Sequence, residues 1–200
     1  KLPALAFRFV AGTGVSDIAQ PVLDSLAQRT GELARLAVVD GETLTWVAKA
    51  QGAPRGLRYD DEAGREVVLH ATATGKAWLA CLPEPEAVAI VERAGLIGRK
   101  PAGPHVVTSI AALRRELRAT RKRGWGEAVE EGEPGVAAVA APIRARRDAD
   151  APVVATVSIA GPLARMDAVR RAALAQDALS AAAELADLWP ARDRSASRAA

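Results

Sequence analysis

Three residues of this sequence could form a nucleophilic site. Ser158 lies in an apolar run, His70 precedes a run of small residues, and Glu131 belongs to an acidic cluster. A serine activated by a histidine that a carboxylate orients is the usual arrangement for nucleophilic catalysis. However, Ser158 lies within a predicted strand and not on a Gly-x-Ser-x-Gly elbow, and no spacing places the other two residues beside it. An enzyme using these three residues is therefore our alternative hypothesis.

The start of a predicted helix at residue 73 could bind an anion. Gly75 and the lysine after it match a phosphate-binding loop only in part: His70 stands where that loop needs its first glycine, and Ala77 where it needs a hydroxyl residue. We therefore exclude nucleotide binding here. The small residues Ala73 and Thr74 leave backbone N–H groups free to meet a small anion. Close packing of a helix on a sheet would select the same residues, so both interpretations stay open.

Composition argues against several classes of protein. The 200 residues include only 2 histidines and 1 cysteine, which disfavours a metal site of such ligands, and we expect neither a metal nor a cofactor. Cys81 cannot form an internal disulfide, and no segment approaches the ~20 apolar residues of a membrane span, so we expect a cytoplasmic location and no membrane contact. With 50% hydrophobic and 26% charged residues, the composition indicates a globular domain.

The net charge of +3 arises from 27 basic and 24 acidic residues, which is a small excess. One basic cluster lies on the polar side of a predicted helix, without aromatic residues that could stack on bases. A solvated helix face explains this cluster, so we do not predict that it binds nucleic acid. Its members are Arg114, Arg115, Arg118, Arg121, Lys122 and Arg123.

Periodicity and cap residues predict the elements that would position these side chains. The predicted helices lie at about 17–30, 73–82, 86–93, 109–123 and 166–189. Ser16 or Asp17 can cap the first of them, which tolerates Pro21 only in its first turn. The predicted strands lie at 33–39, 43–50, 125–130, 136–143 and 153–160, with a short one at 57–59. This order predicts an α+β domain with one mostly antiparallel central sheet of about five to six strands, flanked by helices.

The run from Leu69 to Ala80 resembles the signature Leu-His-Ala-Thr-Ala-x-Gly-Lys-Ala-x-Leu-Ala of IclR-type transcriptional regulators. The resemblance extends over roughly residues 16–188, and motifs in the same order are hard to obtain by chance. The further matches are Thr30-Gly31-Glu32, Arg123-Gly124-Trp125, Glu130-Glu131-Gly132-Glu133-Pro134-Gly135-Val136, Ala140-Ala141-Pro142 and Ala155 to Pro162.

The resemblance implies a GAF-like effector-binding domain at residues 16–189, after the end of an inter-domain linker at 1–15 and before a disordered tail at 190–200. The family's N-terminal winged helix-turn-helix domain has no counterpart in these residues, and promoter DNA would be bound only through that domain. The resemblance also implies a homodimer or tetramer. We therefore expect a ligand sensor that acts as a repressor or an activator.

The family's effector position can be carried over residue by residue. The backbone N–H groups that meet the effector's carboxylate in the family correspond to those of Ala73 and Thr74. A Ser-x-Ser-Gly-Pro motif has Ser158 as its first serine but Ala160 in place of its second. Two more positions that are often polar or cysteine in the family fall on alanine here. These two are Ala128 and Ala138.

The three alanine replacements leave fewer polar contacts and more apolar room. We therefore predict a larger carboxylate effector with an apolar or aromatic part, lined by Tyr59, Val67 and Val136. Two other hypotheses stand beside this sensor: the enzyme described above, and an assembly module whose cavity is filled in.

Overall fold

The computed structural model describes residues 14–53, 55–60, 66–96, 103–145 and 151–189. Its helices are α1 (Val15–Thr30), α2 (Ala73–Leu79), α3 (Glu84–Ala94), α4 (Ile110–Arg123) and α5 (Ala168–Leu188). Its strands are β1 (Leu33–Asp40), β2 (Thr43–Gln51), β3 (Gly126–Val129), β4 (Val136–Arg144) and β5 (Val153–Pro162). The predicted tail at 190–200 and most of the predicted linker at 1–15 lie outside the described residues.

The five strands form one antiparallel sheet in the order β2-β1-β5-β4-β3, which confirms the predicted α+β class. β1 and β2 form the predicted hairpin, whose turn needs the positive φ of Gly41. The short strand predicted at 57–59 is wrong, because residues 55–58 are exposed and 57–59 pair with no strand in the described part of the chain.

Helices cover both faces of the sheet. α1 and α5 pack on one face, and the larger apolar residues of that core include Leu23, Leu26, Leu36, Val139, Val157, Ile159, Leu174 and Leu185. α2, α3 and α4 form the layer on the other face, with a core that includes Leu44, Trp46, Trp78, Leu79, Ile90, Leu113 and Leu117. The sheet is thus buried between two helical layers, as its near-continuous apolar strands require.

The start of α1 differs from the prediction. The helix begins at Val15 after Gly14, whose φ is 65°, and no side chain caps it. The Ser16 hydroxyl instead donates to the carbonyl of Val47, 3.5 Å away, so it is directed at the neighbouring strand and not at the helix end. Pro21 lies inside the helix, beyond the first turn, on an exposed position.

α2 contacts β3 and β4 without large side chains in between. All seven residues of α2 are buried. Ala73 and Ala77 pack against Ala128 and Ala140 of the sheet. A Cβ on Gly126 would lie 2.1 Å from the Ala73 carbonyl oxygen and 2.8 Å from the Ala77 nitrogen, which are both backbone atoms. Only glycine fits at this position.

We predict that Gly126→Ala lowers the free energy of unfolding by about 1–3 kcal/mol, because the added methyl group must push α2 away from the sheet. Urea denaturation measures this loss. Gly132→Ala is the matched control, because its added Cβ would lie 3.2 Å from its nearest neighbour, the Ala71 carbonyl oxygen, and the position is exposed. Equal losses in the two variants would contradict the proposed close approach.

Candidate functional site

Most of the predicted effector residues lie on the sheet face that α2 covers, which we call the inner face. Residues that pair across neighbouring strands point to the same side of a sheet. Three such rows define the inner face: Leu33, Ala160, Ala138 and Ala128; Arg35, Ser158, Ala140 and Gly126; and Ala37, Thr156 and Pro142.

The three predicted alanines share one row of the inner face. Ala138 pairs with Ala128 on one side and with Ala160 on the other, so the row crosses three neighbouring strands. The sequence alone could not show that these residues are neighbours, because they lie on separate strands. Together they contribute only methyl groups, which makes this part of the inner face small and apolar.

Two hydroxyl groups interrupt this apolar surface. Ser158 and Thr156 are fully buried, and neither hydroxyl oxygen has a hydrogen-bond partner among the described residues. They stand two residues apart on β5, so their side chains are separated by about 6.6–6.8 Å along the strand. Leaving a buried hydroxyl unsatisfied costs roughly 1–3 kcal/mol, so both positions suit a polar partner such as a bound ligand.

A buried arginine lies next to these hydroxyls. Arg35 is the cross-strand partner of Ser158 and is only 7% exposed. Its guanidinium carbon lies 3.9 Å from the centre of the Trp46 ring and 5.5 Å from the centre of the Tyr59 ring. Neither Arg35 nor Thr156 was predicted from the sequence. Arg35 could have been noticed in the sequence because it is the one charged residue in the apolar strand predicted at 33–39.

The start of α2 lies over the same face of the sheet. Ala73 and Thr74 are buried in its first turn, where backbone N–H groups have no partner within a helix. Thr72 caps the helix: its hydroxyl accepts from the Gly75 N–H at 3.0 Å and donates to the Val68 carbonyl at 2.9 Å. The structure therefore places both predicted amide positions against the sheet.

The predicted apolar lining is divided between two parts of the domain. Tyr59 is half-buried beside Arg35, and Val67 is buried in the core that includes Trp46. Val136 is half-buried at the start of β4, two residues before Ala138 and on the same side of the strand. Tyr59 and Val67 thus lie near the β2 side of the sheet, and Val136 lies near the alanine row.

Ion pairs fix α2 from its other side. Lys76 is 1% exposed, and its Nζ lies 2.8 and 2.9 Å from the two carboxylate oxygens of Glu131 and 3.4 Å from Oε1 of Glu116. Arg123 in turn donates to the same Glu116 oxygen at 2.8 Å. These four residues, which we call the Lys76 network, connect α2 to the β3–β4 turn and to α4.

Comparison with known proteins decides the family. The profile of the family described as "Bacterial transcriptional regulator IclR C-terminal" matches residues 7–187. The chain belongs to this IclR family. The resemblance of the sequence motifs is thereby confirmed, and the match includes every residue of the inner face and of the Lys76 network.

Relatives agree in sequence and in fold. The chain is 32% identical to the HTH-type transcriptional regulator XynR of Escherichia coli over 160 residues, which are 80% of this chain and 61% of XynR. It is 29% identical to the solved structure of Thermotoga maritima IclR, with a TM-score of 0.77, covering 92% of this chain and 71% of that one. The chain spans about three fifths of the length of XynR and of two further curated relatives.

A third comparison concerns the fold. The inducer-binding domain of the transcription factor PobR from Acinetobacter, solved in complex with 3-hydroxybenzoic acid, has a TM-score of 0.72 to this chain at 24% identity. The superposition covers 86% of this chain and 98% of the PobR chain. This IclR-family chain and the PobR domain therefore share one fold.

The enzyme hypothesis is not supported. The relatives of this IclR-family chain are transcriptional regulators, not enzymes. Within the described residues, neither His70 nor Glu131 hydrogen-bonds the Ser158 hydroxyl, and Glu131 is bound to Lys76. Burial lowers the pKa of His70, and the positive charge of Lys76 lowers it further. The three residues therefore do not form a catalytic relay.

The acidic cluster that suggested catalysis has a structural role in this IclR domain. Glu130 adopts a φ of 53°, and its carboxylate accepts the Gly135 N–H at 2.9 Å. The carbonyls of Glu130 and Glu131 accept the N–H groups of His105, at 3.1 Å, and Gly103, at 2.8 Å. The cluster therefore fixes the β3–β4 turn in the conformation that brings Glu131 to Lys76.

The basic cluster on α4 makes contacts within the domain. Arg118 binds Glu84 at 2.8 Å, and Arg121 donates to the carbonyls of Ala80 at 2.8 Å and Leu82 at 2.7 Å. Arg123 belongs to the Lys76 network. These arginines connect α4 to α3 and to the end of α2.

A cavity of about 410 Å³ lies at the other end of α2, between α3 and the ends of β1, β4 and β5. Trp78, Cys81, Ile90 and Arg144 are among its lining residues, and burial raises the pKa of the Cys81 thiol. None of the predicted effector residues lines this cavity. Among the described residues, no three metal-ligating side chains lie together, and no helix has the length and apolar character of a membrane span.

We predict that Lys76→Met lowers the free energy of unfolding by about 3–5 kcal/mol, because it leaves the largely buried carboxylate of Glu131 without its cation. Urea denaturation at pH 7 measures the loss. Arg118→Met is the matched control: it removes a cation from an ion pair whose arginine side chain is 65% exposed, and it should leave the unfolding midpoint nearly unchanged. Similar losses in both variants would contradict a special role for the Lys76 network.

Proposed function

We propose that this domain binds a small-molecule effector on the inner face of its sheet and thereby modulates a transcriptional regulator. The observation that carries the proposal is the pair of buried hydroxyls, Ser158 and Thr156, which have no partner among the described residues. A regulatory domain needs a shaped surface with a few well-placed polar groups, not reactive side chains. The first-turn backbone N–H groups of Ala73 and Thr74, which have no partner within the helix, are the further polar groups of the proposed site.

The proposed effector is a carboxylate with an apolar or aromatic part. The row of Ala128, Ala138 and Ala160 supplies methyl groups where a small polar acid would need hydrogen bonds. Tyr59, Val67 and Val136 are the proposed apolar lining. The fold accommodates a ligand of this class in PobR, whose inducer-binding domain is complexed with 3-hydroxybenzoic acid.

In the proposed mechanism, the effector shifts the population between two conformations of the domain. It can do so only by binding one conformation more tightly than the other, and coupling energies of about 1–3 kcal/mol are typical. α2 suits such a role because it contacts the proposed site at its first turn and carries Lys76 one turn later. A movement of α2 would therefore reach the β3–β4 turn and α4 through the Lys76 network.

The remaining partners follow from the family. We infer that operator DNA is bound by a part of the regulator other than these 200 residues, because the matched relatives extend well beyond the aligned region. We also propose that the protein acts in the cytoplasm as a homodimer or tetramer.

We predict that titration calorimetry of the purified domain detects binding of aromatic acids such as benzoate, and weaker or no binding of glyoxylate and pyruvate. Ser158→Ala should weaken the tightest of these ligands about tenfold, because it removes one hydrogen bond in a buried site. Ser180→Ala, at an exposed position of α5, is the matched control and should leave the affinity unchanged. Tight binding of glyoxylate or pyruvate without binding of aromatic acids contradicts the proposed effector class.

We predict a solution mass of two or four times 20.8 kDa for the domain. Light scattering after size-exclusion chromatography measures this mass across a concentration series. A monomer at every concentration contradicts the proposal that these residues assemble by themselves.

A further inference from the structure

We propose that the cavity at the end of α2 is a second ligand site, which takes a free amino acid with an apolar side chain. The cavity has a volume of about 410 Å³, and small-molecule sites usually measure about 300–1,000 Å³. It is separate from the inner-face site of the proposed function. Val153 lines the cavity and stands five residues from Ser158 on β5, so roughly 15 Å of strand lies between the two sites.

The first argument is the apolar interior of the cavity. Trp78 and Ile90 are buried and line it from α2 and α3, while Val39 and Val153 line it from the ends of β1 and β5. A branched or aromatic side chain that enters between these residues leaves water, which is the main favourable contribution to the binding of an apolar group. The cavity therefore favours a ligand with an apolar part, and its volume can hold a molecule of the size of leucine or phenylalanine.

The second argument is Arg144 at the end of β4. It lines the cavity, and its Nη1 donates to the carbonyl of Ala151, 2.6 Å away, which holds the guanidinium at the cavity wall. A guanidinium has five N–H donors in one plane. Because the bond to Ala151 uses Nη1, the edge formed by Nε and Nη2 can bind a carboxylate through two parallel hydrogen bonds. Arg144 therefore favours a ligand with a carboxylate.

The third argument is the negative charge in the same lining. Glu42 lines the cavity from the β1–β2 turn, but Arg93 binds its two carboxylate oxygens at 2.7 and 2.9 Å and so compensates its charge. Glu86 lines the cavity from the first turn of α3, and its side chain makes no hydrogen bond or ion pair with the described residues.

An acid without an amino group would meet the charge of Glu86 with nothing to compensate it. An ammonium group is the complement of Glu86, as a carboxylate is the complement of Arg144, and complementary charges determine which ligand a site accepts. Arg144 and Glu86 come from different walls of the cavity, the sheet and α3, with the apolar residues between them. An amino acid with an apolar side chain supplies all three groups.

The test removes one group of the amino acid at a time. The probes are L-leucine, 4-methylpentanoate, which lacks the ammonium group, and 3-methylbutylamine, which lacks the carboxylate, together with L-phenylalanine, 3-phenylpropanoate and 2-phenylethylamine. Each is titrated calorimetrically into the full chain. We expect an amino acid to bind best in at least one series. Loss of the carboxylate should weaken binding about tenfold or more, because its hydrogen bonds are charge-assisted. Loss of the ammonium group should weaken binding about three- to fivefold, because Glu86 is exposed to water.

Variants and the single cysteine locate the ligand. Arg144→Gln should weaken the better-bound amino acid about tenfold, whereas Arg115→Gln, at an exposed position of α4, is its matched control. Glu86→Gln should abolish the preference for that amino acid over the acid that lacks the ammonium group. Its matched control is Glu92→Gln, at an exposed position of α3 outside the cavity. Cys81 lines the cavity, so the saturating amino acid should slow its reaction with N-ethylmaleimide about tenfold.

Each outcome decides for or against the second site. Binding of an amino acid that Ser158→Ala weakens and Arg144→Gln leaves unchanged overturns the inference, because the ligand then lies on the inner face. Failure of both amino acids to bind overturns it as well, and so does a rate of Cys81 modification that the saturating amino acid does not change. The titrations with benzoate test the proposed function separately. If circular dichroism shows that Arg144→Gln does not fold, Glu86→Gln decides, and an unchanged preference for the amino acid in that variant overturns the inference.

Discussion

Helix α2 is buried along its whole length. Its backbone can come this close to the sheet only where the side chains between the two surfaces are small. Gly126 provides the closest contact, and Ala73, Ala77, Ala128 and Ala140 fill the space around it. The His-Ala-Thr-Ala motif and the alanines of β3 and β4 are thus two sides of one contact. The same contact brings the start of α2 over the inner face, so the packing of α2 and the proposed effector site depend on the same residues.

The burial of α2 also explains the acidic cluster. The helix has one long polar side chain, Lys76, whose charge ends inside the domain and needs opposite charge there. Glu131 supplies this negative charge from the β3–β4 turn. In that turn Glu130 adopts an unfavourable backbone conformation, at a φ of 53°, and the N–H of Gly103 binds the carbonyl of Glu131. The strained backbone of Glu130 therefore belongs to the turn that positions Glu131 for its ion pair with Lys76. A cluster that suggests catalysis in the sequence is explained by the electrostatics of a buried helix.

The sequence predicts those parts of the fold that depend on local patterns. Strands β1, β4 and β5 and helices α4 and α5 are found near their predicted bounds, because alternation, apolar runs and caps such as Ser109 act over a few residues. The row of Ala128, Ala138 and Ala160 needs the register of three strands, which no local pattern contains. The surroundings of Arg35 could not be predicted for a related reason: its contact with the Trp46 ring and its pairing with Ser158 join residues of separate strands. The uncapped start of α1 at Gly14 has no side-chain signal.

The alanine row has a consequence for the divergence of such sensors. Its three positions belong to different strands, yet their side chains share one space beneath one helix. A larger or polar side chain at any one of them changes what the other two can contact. In the proposed effector site, substitutions there would therefore act jointly, and their effects on affinity would not add. In the proposed site, single changes in this row would therefore exchange one effector for another while the cores on both faces of the sheet stay as they are. The effector reached after several such changes would depend on the order in which they occur.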